Sequence, residues 1–305
     1  MANAKYIWMD GKLVEWANAT VHVQTHALHY GSSVFEGIRA YASPDGPKVL
    51  FLTEHMRRLY ASARMLRMEL PYTVEQFSAA VKLTVRENRH ESCYIRPLVF
   101  RGDEALGVNP RNCSLHATIM TMVWGAYLGA EALEKGISVG VSSWRRTSPN
   151  TGMAMGKIGG QYINSQLLVM EAIDNGYEES IALDMEGHVS EGSGENIFVV
   201  YNGVLYTPPM AASILLGITR SAVIQLAQSL GIEVREQIIP REMLYVADEI
   251  FFSGTAAEVT PVSSVDKITV GAGRRGPITR QIQEGFFNIA NSKVPDQWSW
   301  LTPVN

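Results

Sequence analysis

Apolar residues recur at helical spacing in several long stretches of the chain. Between residues 53 and 69 they follow the i, i+3, i+4, i+7 pattern of an amphipathic helix, at Met56, Leu59, Tyr60, Ala63 and Leu66. A second helix is predicted over residues 73–88, where Thr73 and Gln76 have the spacing of a capping box. Further helices are predicted over residues 160–175, 218–230 and 277–291, and Gly176 and Gly231 are expected to end the first two.

Shorter stretches, rich in β-branched and aromatic residues, predict strands over residues 94–100, 116–123, 137–142, 180–184 and 249–253. Two more, 196–201 and 204–206, flank Asn202-Gly203, which is the strongest two-residue signal for a β-hairpin. Pro97 removes a backbone donor from the first strand, so we expect that strand to lie at an edge or to be bulged. The mixture of elements indicates an α+β protein.

The chain is longer than one hydrophobic core usually allows, since single cores stop growing at roughly 250–300 residues and this chain has 305. A small-residue, glycine-rich stretch begins at Gly125 and separates two of the predicted strands. We therefore predict a small N-terminal α/β domain over residues 1–124, an interdomain loop over 125–135, and a large C-terminal domain over 136–305.

The composition excludes several classes of partner. Apolar residues make up 46% of the chain and the net charge is −4, which disfavours nucleic acid or an anionic membrane as the main partner. No apolar run approaches the roughly 20 residues of a membrane helix. The two cysteines, Cys93 and Cys113, form no CxxC motif, so we expect no disulfide framework and a cytoplasmic location. His22, His26 and His29 match no common metal spacing, so we predict structural histidines and no metal.

One lysine stands in unusual company, in the segment Gly152-Met-Ala-Met-Gly156-Lys157-Ile-Gly159-Gly160-Gln-Tyr162. Surface lysines usually have polar neighbours, because the ammonium is strongly hydrated. Small, apolar neighbours favour a desolvated amine, and a neutral amine is the form that makes Schiff bases. The segment alone fits a solvated lysine in a flexible loop equally well.

Three further segments suggest a cofactor that carries a ring and a phosphate. Glu191 lies in a Gly/Ser-rich turn, where its carboxylate could face a pyridinium nitrogen. Gly217-Ile218-Thr219-Arg220 begins a helix, and free amides at a helix start bind phosphate. Ser253-Gly-Thr255-Ala256-Ala-Glu258 offers a hydroxyl and approachable amides. Each of these segments, taken alone, also fits an ordinary turn or helix start.

These segments occur together and in the same order in one known family. With His26-Ala-Leu-His29-Tyr30-Gly-Ser-Ser-Val-Phe35-Glu36-Gly37-Ile38-Arg39, Tyr94-Ile95-Arg96-Pro97 and Trp124-Gly125-Ala-Tyr127, the chain resembles the branched-chain amino-acid aminotransferases. That family has the two-domain fold of the fold-type IV pyridoxal-phosphate enzymes, which is also the fold of the D-amino-acid aminotransferases. The likeness runs from Tyr6 to Trp300.

The resemblance implies a role for each matching residue in binding pyridoxal 5'-phosphate. Lys157 would form the Schiff base and carry the proton, and Glu191 would pair with the pyridine nitrogen. Tyr162 would donate to the phenolic oxygen of the ring. The phosphate would be held by Arg58, the amides of Ile218 and Thr219, and the hydroxyl of Thr255.

The resemblance also implies how small-molecule amino acids and 2-oxoacids are bound. Tyr94 and Arg96 are two apart on a predicted strand, so both point to one face. Tyr94 and the amides of Thr255 and Ala256 would take the α-carboxylate. The other expected pocket residues are Arg96, Tyr30 and Tyr127 for the distal carboxylate of glutamate, and Phe35, Gly37, Arg39 and Tyr162 for the rest of the wall.

The expected reaction is reversible transamination of leucine, isoleucine and valine with 2-oxoglutarate. D-Amino-acid aminotransferase and aminodeoxychorismate lyase share the lysine and the glutamate, but they lack the combination of Tyr94, Arg96 and Tyr127. A non-catalytic protein that binds a phosphorylated ligand is the alternative outside the class. Met155-Gly156 and residues 213–216 depart from the family, which puts only loop detail in doubt. The resemblance further implies a homodimer or a hexamer built as a trimer of dimers.

Overall fold

The computed structural model describes residues 4–125, 129 and 131–305. Its helices are α1 (His26–Tyr30), α2 (Leu52–Met65), α3 (Val74–Glu87), α4 (Ala132–Lys135), α5 (Tyr162–Asp174), α6 (Ile218–Ser229), α7 (Met243–Val246) and α8 (Pro277–Ala290). Its strands are β1 (Tyr6–Met9), β2 (Lys12–Glu15), β3 (Ser33–Phe35), β4 (Ile38–Tyr41), β5 (Lys48–Leu50), β6 (Cys93–Arg101), β7 (Leu115–Met122), β8 (Ile137–Arg145), β9 (Glu179–Leu183), β10 (Val189–Gly192), β11 (Asn196–Tyr201), β12 (Val204–Thr207), β13 (Val234–Glu236), β14 (Glu249–Gly254), β15 (Glu258–Val265), β16 (Ile268–Thr269) and β17 (Leu301–Pro303). The predicted α+β class is confirmed.

The long predicted helices are all present. Thr73 caps α3 through both bonds of the capping box: its hydroxyl accepts from the Gln76 amide at 3.2 Å, and its own amide donates to the Gln76 side chain at 2.8 Å. Helix α2 ends four residues before the predicted limit of residue 69, because Arg67 has a φ of 54° and the chain turns there. Gly231, with a φ of 74°, follows α6 as predicted.

The chain forms two compact units. The first contains the residues up to Trp124 together with Gly156–Gln161 and Ile289–Asn305, and the second contains Gly125–Met155 and Tyr162–Asn288. The two short segments of the first unit were expected in the C-terminal domain. They belong to the first unit because Ile158 bridges to Val34 and β17 pairs with β5. That each predicted domain folds on its own stays a prediction.

The first unit is built on an antiparallel sheet with the order β17-β5-β4-β6-β7-β1-β2, and β3 pairs with β6. Two amphipathic helices, α2 and α3, supply buried side chains to the core beside this sheet. The largest members of that core include Met56, Leu59, Phe77, Ile95 and Ile119, all fully buried. Burial of such side chains gives roughly 1.5–3 kcal/mol each, so this core fixes the positions of the strands that carry the candidate site.

Pro97 lies in the middle of this sheet and not at its edge, so the predicted edge position is wrong. Strand β6 pairs with β7 on one side and with β3 and β4 on the other. Glu36 donates its backbone amide to the Pro97 carbonyl at 2.9 Å, and Pro97 has no amide with which to donate in return. The missing bond falls where β3 has ended and β4 has not begun, so the sheet tolerates it.

The second unit is built on a mixed sheet with the order β10-β9-β8-β15-β14-β11-β12-β13, and β16 pairs with β15. The predicted hairpin at Asn202-Gly203 is confirmed: both residues have positive φ, 50° and 75°, and Tyr201 pairs with Val204. Strands β9, β11 and β14 are buried along most of their length. Within the described ranges, no helix is long and apolar enough to cross a lipid bilayer.

Candidate active site

Lys157 is fixed through its backbone to two elements of the first unit. Its amide donates to the Ser62 hydroxyl on α2 at 3.0 Å, and its carbonyl accepts from the Phe35 amide at 3.1 Å. Its amine, Nζ, lies 4.9 Å from the centroid of the Phe35 ring. The lysine is therefore partly buried against an aromatic face, in the surroundings that its small, apolar neighbours predicted.

The glycines after this lysine permit a close approach of two backbone segments. Gly160 donates its amide to the Gly31 carbonyl at 3.0 Å. A Cβ placed on Gly31 would lie 2.5 Å from the Gly160 Cα, and Gly31 also has a φ of 65°. Only glycine fits that position, and the contact holds the lysine segment against the end of α1.

Arg58 belongs to a buried network that the sequence did not reveal. The Glu36 carboxylate accepts from Arg58 Nε at 2.7 Å and from Arg58 Nη2 at 2.8 Å, and it lies 2.7 Å from His55 Nδ1. Arg58 is only 13% exposed, so it turns inward from the polar side of α2 on which it was expected. The bidentate bond fixes the plane and direction of the guanidinium, as binding a phosphate at a defined place would require.

The charges in this network are set by burial and by pairing. Burial acts to raise the pKa of Glu36, but Arg58 and His55 outweigh it and lower the pKa far below its usual value. Burial lowers the pKa of His55, although the Glu36 carboxylate acts in the opposite direction. The network therefore contains an ionised carboxylate and a guanidinium beside an imidazole that burial favours in its neutral form.

Tyr94 and Arg96 share one face of β6, as their spacing predicted. Arg96 Nη2 donates to the Tyr94 hydroxyl at 3.0 Å. The guanidinium carbon lies 4.9 Å from the Phe35 ring centroid and 5.2 Å from that of Tyr94. No acidic side chain among the described residues pairs with Arg96, and its buried Nε has no hydrogen-bond partner there. A guanidinium between two rings and without a carboxylate is suited to an anionic ligand.

Gly37 leaves the space that the Tyr94 hydroxyl occupies. A Cβ at position 37 would lie 1.9 Å from the Tyr94 hydroxyl oxygen. Tyr94 is only 4% exposed and packs edge-on against Trp124 at 5.0 Å, so its ring has little freedom to move aside.

Gly37→Ala is therefore expected to displace the Tyr94 hydroxyl and to break its bond with Arg96. The KM for both amino donor and oxoacid should rise by about 10-fold or more, since overpacking costs typically 1–3 kcal/mol. Steady-state kinetics measure the effect. An unchanged KM in a variant whose melting temperature is also unchanged would show that the Tyr94 hydroxyl does not contact the substrate.

The remaining predicted pocket residues of the first unit have separate surroundings. Arg39 is buried, lies opposite Tyr94 in the sheet, and donates to the Trp124 carbonyl at 3.3 Å. Tyr30 is exposed, and its hydroxyl donates to the Leu106 carbonyl at 2.6 Å. Tyr127 lies outside the described residues. The pocket roles of Tyr30, Arg39 and Tyr127 stay predictions.

The histidines near the start of the chain have hydrogen bonds of a structural kind. His26 lies 2.7 Å from the Ser32 hydroxyl through Nδ1 and 3.0 Å from the Gly107 carbonyl through Nε2. His29 Nε2 lies 2.9 Å from the Val23 carbonyl. These bonds hold α1 and the loops beside it together.

In the second unit, the Glu191 carboxylate is held by three donors. Arg146 Nη2 donates to Oε1 at 2.7 Å, and the Asn196 side chain and the Leu215 amide donate to Oε2 at 3.1 and 3.0 Å. Glu191 is 4% exposed. A buried carboxylate with a fixed direction is what pairing with a ring nitrogen requires.

The turn that follows Glu191 is fastened by a second buried acid. The Ser193 hydroxyl donates to Glu179 at 2.9 Å, and the Ser180 amide donates to the same carboxyl group at 2.7 Å. No cationic side chain among the described residues bonds to Glu179. Burial raises the pKa of Glu179 above its ordinary value, although these hydrogen bonds act to lower it.

The start of α6 lies close to the Glu191 network. Gly217 is its N-cap and gives it no side-chain cap, and Ile218 and Thr219 are its first two residues. A Cβ on Gly217 would lie 1.9 Å from Asn196 Oδ1, so the residue that bonds Glu191 also packs against this helix start. Uncapped amides at a helix N-terminus are an anion site.

Two other predicted residues occupy element ends in this unit. Tyr162 begins α5, and Thr255 and Ala256 form the turn between β14 and β15. That turn adjoins the Glu191 turn, because a Cβ on Gly254 would lie 3.7 Å from the Gly194 carbonyl. The second unit therefore brings together the carboxylate, the helix start and the hydroxyl-bearing turn, and these fit a pyridine ring with a phosphate.

Sequence reasoning missed Glu36, His55, Arg146 and Asn196. Glu36 offered one signal, since it is the charged member of an otherwise apolar Val-Phe-Glu-Gly-Ile stretch. His55 precedes Arg58 by three residues and so shares its helix face. Arg146 offered no local signal, because its partner comes from a distant strand.

Comparison with known proteins agrees with this chemistry. The family model described as amino-transferase class IV matches residues 33–265. The branched-chain-amino-acid aminotransferase of Escherichia coli (strain K12) is 54% identical over 303 residues, which cover 99% of this chain and 98% of that protein. A crystal structure of the Escherichia coli enzyme has a TM-score of 0.97 at 53% identity and covers 99% of this chain and 100% of its own.

A third similar protein, the T.th. branched-chain amino acid aminotransferase, was solved in complex with N-(5'-phosphopyridoxyl)-L-glutamate. It has a TM-score of 0.95 at 44% identity and covers 100% of both chains. The chain thus belongs to the class IV aminotransferases, which use pyridoxal phosphate. Within that class it is a member of the branched-chain-amino-acid aminotransferase family, and its activity is transamination.

Proposed function

We propose that this enzyme transfers the amino group of leucine, isoleucine or valine to 2-oxoglutarate, reversibly and by a ping-pong mechanism with Lys157 as the catalytic residue. One observation carries the proposal. Arg96, without a carboxylate partner among the described residues, lies between the rings of Phe35 and Tyr94, and Phe35 is also the ring that faces Lys157 Nζ. Apolar surface and an available positive charge therefore occur beside the same amine.

The residues present fit pyridoxal phosphate. When bound, it supplies an aldehyde for the amino group and a ring that withdraws electrons from the substrate Cα. Lys157 would hold it covalently through Nζ and would move the proton at the substrate Cα. Glu191 would face the ring nitrogen and Tyr162 the phenolic oxygen. Arg58, oriented by Glu36, would hold the phosphate with the amides of Ile218 and Thr219 and the hydroxyl of Thr255.

Two kinds of substrate would use the same face of β6 differently. The ring of Phe35 gives an apolar surface of the kind that aliphatic side chains bury against. The guanidinium of Arg96 would bind the distal carboxylate of glutamate or 2-oxoglutarate, and the Tyr94 hydroxyl, with the Thr255 and Ala256 amides, the α-carboxylate. The solved complex of the T.th. enzyme with a phosphopyridoxyl-glutamate supports glutamate as one of the two substrates.

The amino-donor profile with 2-oxoglutarate as acceptor tests this proposal. Leucine, isoleucine and valine should be turned over, and D-alanine should not. Rapid turnover of D-alanine without turnover of leucine would refute the proposed substrates, while leaving the role of Lys157 in place.

Arg96→Ala is expected to affect one half-reaction more than the other. Its charge serves the distal carboxylate, so the half-reaction with 2-oxoglutarate should lose about 1.5–3 kcal/mol of transition-state stabilisation more than that with leucine. Single-turnover kinetics measure each half separately.

Arg86→Ala is the matched control, because Arg86 is an exposed arginine of the same unit that pairs only with Glu87 at 3.6 Å. It should change neither half-reaction. Equal losses in both half-reactions of Arg96→Ala would contradict the assigned role. A homodimer or hexamer, and a cytoplasmic location, are proposed with this function on the resemblance alone.

A further inference from the structure

The side chain of Arg146 joins two elements of the second unit. Arg146 follows β8, and its amide donates to the Leu183 carbonyl at 2.9 Å. Its Nη1 donates to Asn164 on α5 at 2.8 Å, and its Nη2 reaches Glu191 Oε1 at 2.7 Å. Asn164 in turn donates to the Arg145 carbonyl at 2.9 Å. The guanidinium is therefore held in one orientation from two sides.

This pair is a poor device for stability alone. Arg146 is 14% exposed and the Glu191 side chain 5%, so both charges have lost most of their water. Arg146 Nε is also buried without a hydrogen-bond partner among the described residues. Buried ion pairs often contribute no more stability than apolar residues of similar size, because desolvation offsets the attraction. The value of Arg146 therefore lies in what it does to Glu191.

Its effect on Glu191 is both geometric and electrostatic. Arg146 holds Oε1, while Asn196 and the Leu215 amide hold Oε2, so the carboxylate cannot rotate. A cationic donor also favours the ionised form. Glu179 shows the contrast, since it lacks a cationic partner among the described residues and burial raises its pKa. An ionised carboxylate is the form that keeps a facing ring nitrogen protonated.

We propose that Arg146 is a positioning residue that keeps the Glu191 carboxylate ionised and in one orientation toward the cofactor ring, and that Asn164 braces it. The inference rests on the function proposed above, in which Glu191 faces the ring nitrogen. Because that nitrogen serves both half-reactions, Arg146 must serve both equally, unlike Arg96.

The test compares Arg146→Met and Arg146→Gln with Arg145→Met in holoenzyme loaded with pyridoxal phosphate that carries ¹⁵N in the ring. Arg145 is the matched control, because its guanidinium donates at 3.0 Å to the backbone carbonyls of Asp184 and Met185 and not to Glu191. In both Arg146 variants the ring ¹⁵N resonance should move toward that of an unprotonated pyridine. In both, kcat should fall by about 10- to 100-fold, the usual loss for a residue that supports a directly binding group. The KM values should be little changed, and both half-reactions should slow to the same degree.

Several outcomes would overturn the proposal. A wild-type ¹⁵N resonance and kcat in a folded Arg146 variant would do so, as would an equal loss in Arg145→Met. Arg146→Gln retains hydrogen-bonding capacity without charge, and it provides the same readout if Arg146→Met does not fold. In a Glu191→Gln background, Arg146→Met should cause no further loss in kcat, and additive losses would show that it does not act through Glu191. A wild-type protein without a Lys157-dependent visible absorption band would instead refute the proposed function, before any Arg146 variant is measured.

Discussion

Lys157→Ala is expected to lose the visible absorption band of the bound cofactor and to lower kcat by at least about 10²–10⁴-fold, the contribution of one positioned proton-transfer group. The loss should be this large because the same amine is proposed to hold the cofactor and to move the proton at the substrate Cα. Spectra before and after sodium borohydride, together with leucine turnover, measure both effects. Wild-type protein should have a band that borohydride bleaches.

Lys135→Ala is the control for this experiment, since Lys135 is an exposed lysine on α4 that pairs with Glu131 at 2.6 Å. It should keep both the band and the activity. Retention of the borohydride-sensitive band in Lys157→Ala would place the Schiff base on another lysine. That result would contradict the assignment of Lys157 directly.

Glu36→Gln is expected to lower the free energy of unfolding by about 3–5 kcal/mol, because removing one partner of a buried ion pair leaves the other charge uncompensated. Arg58 and His55 both lose their acceptor in this variant, although the side chain keeps its size. Urea unfolding at neutral pH measures the loss. Glu87→Gln is the control: its exposed pair with Arg86 should contribute no more than about 1 kcal/mol.

The effect of Glu36→Gln should depend on pH in a defined direction. Because the pKa of Glu36 is lowered on folding from its ordinary 4.5, the stabilisation is complete above that value and is lost as the pH falls below it. The difference between wild type and Glu36→Gln should therefore be largest at neutral pH and should shrink in acid. A constant difference from pH 7 to pH 3 would show that the carboxylate charge is not the source of the stability.

Local features of the sequence were sufficient to predict much of the fold. The capping box at Thr73, the glycine after α6 and the Asn202-Gly203 hairpin all depend on interactions within a few residues, and all are present. The face shared by Tyr94 and Arg96 follows from strand geometry alone. What spacing could not give is the pairing of distant segments, such as Ile158 with Val34, which joins the lysine segment to the first unit.

The candidate site shows the same division. The resemblance to a known family supplied Lys157, Arg58 and Glu191, but not the residues that orient them. Glu36 reaches Arg58 because β4 and α2 pack in one core, and Arg146 reaches Glu191 because β8 and β9 lie side by side and β10 pairs with β9. These contacts depend on sheet order, which no local pattern encodes.

The proline in the central strand of the first sheet also restricts which pairings the sheet can adopt. In the observed register its missing donor falls opposite Glu36, between β3 and β4. A slip of two residues would keep every side chain on its proper face, so burial alone would not oppose it strongly. Such a slip would, however, bring Pro97 opposite Ile38, within β4, and remove a hydrogen bond from the paired strand. Pro97 therefore acts as a register mark, and the alignment that it selects is the one that brings Gly37 beside the Tyr94 hydroxyl.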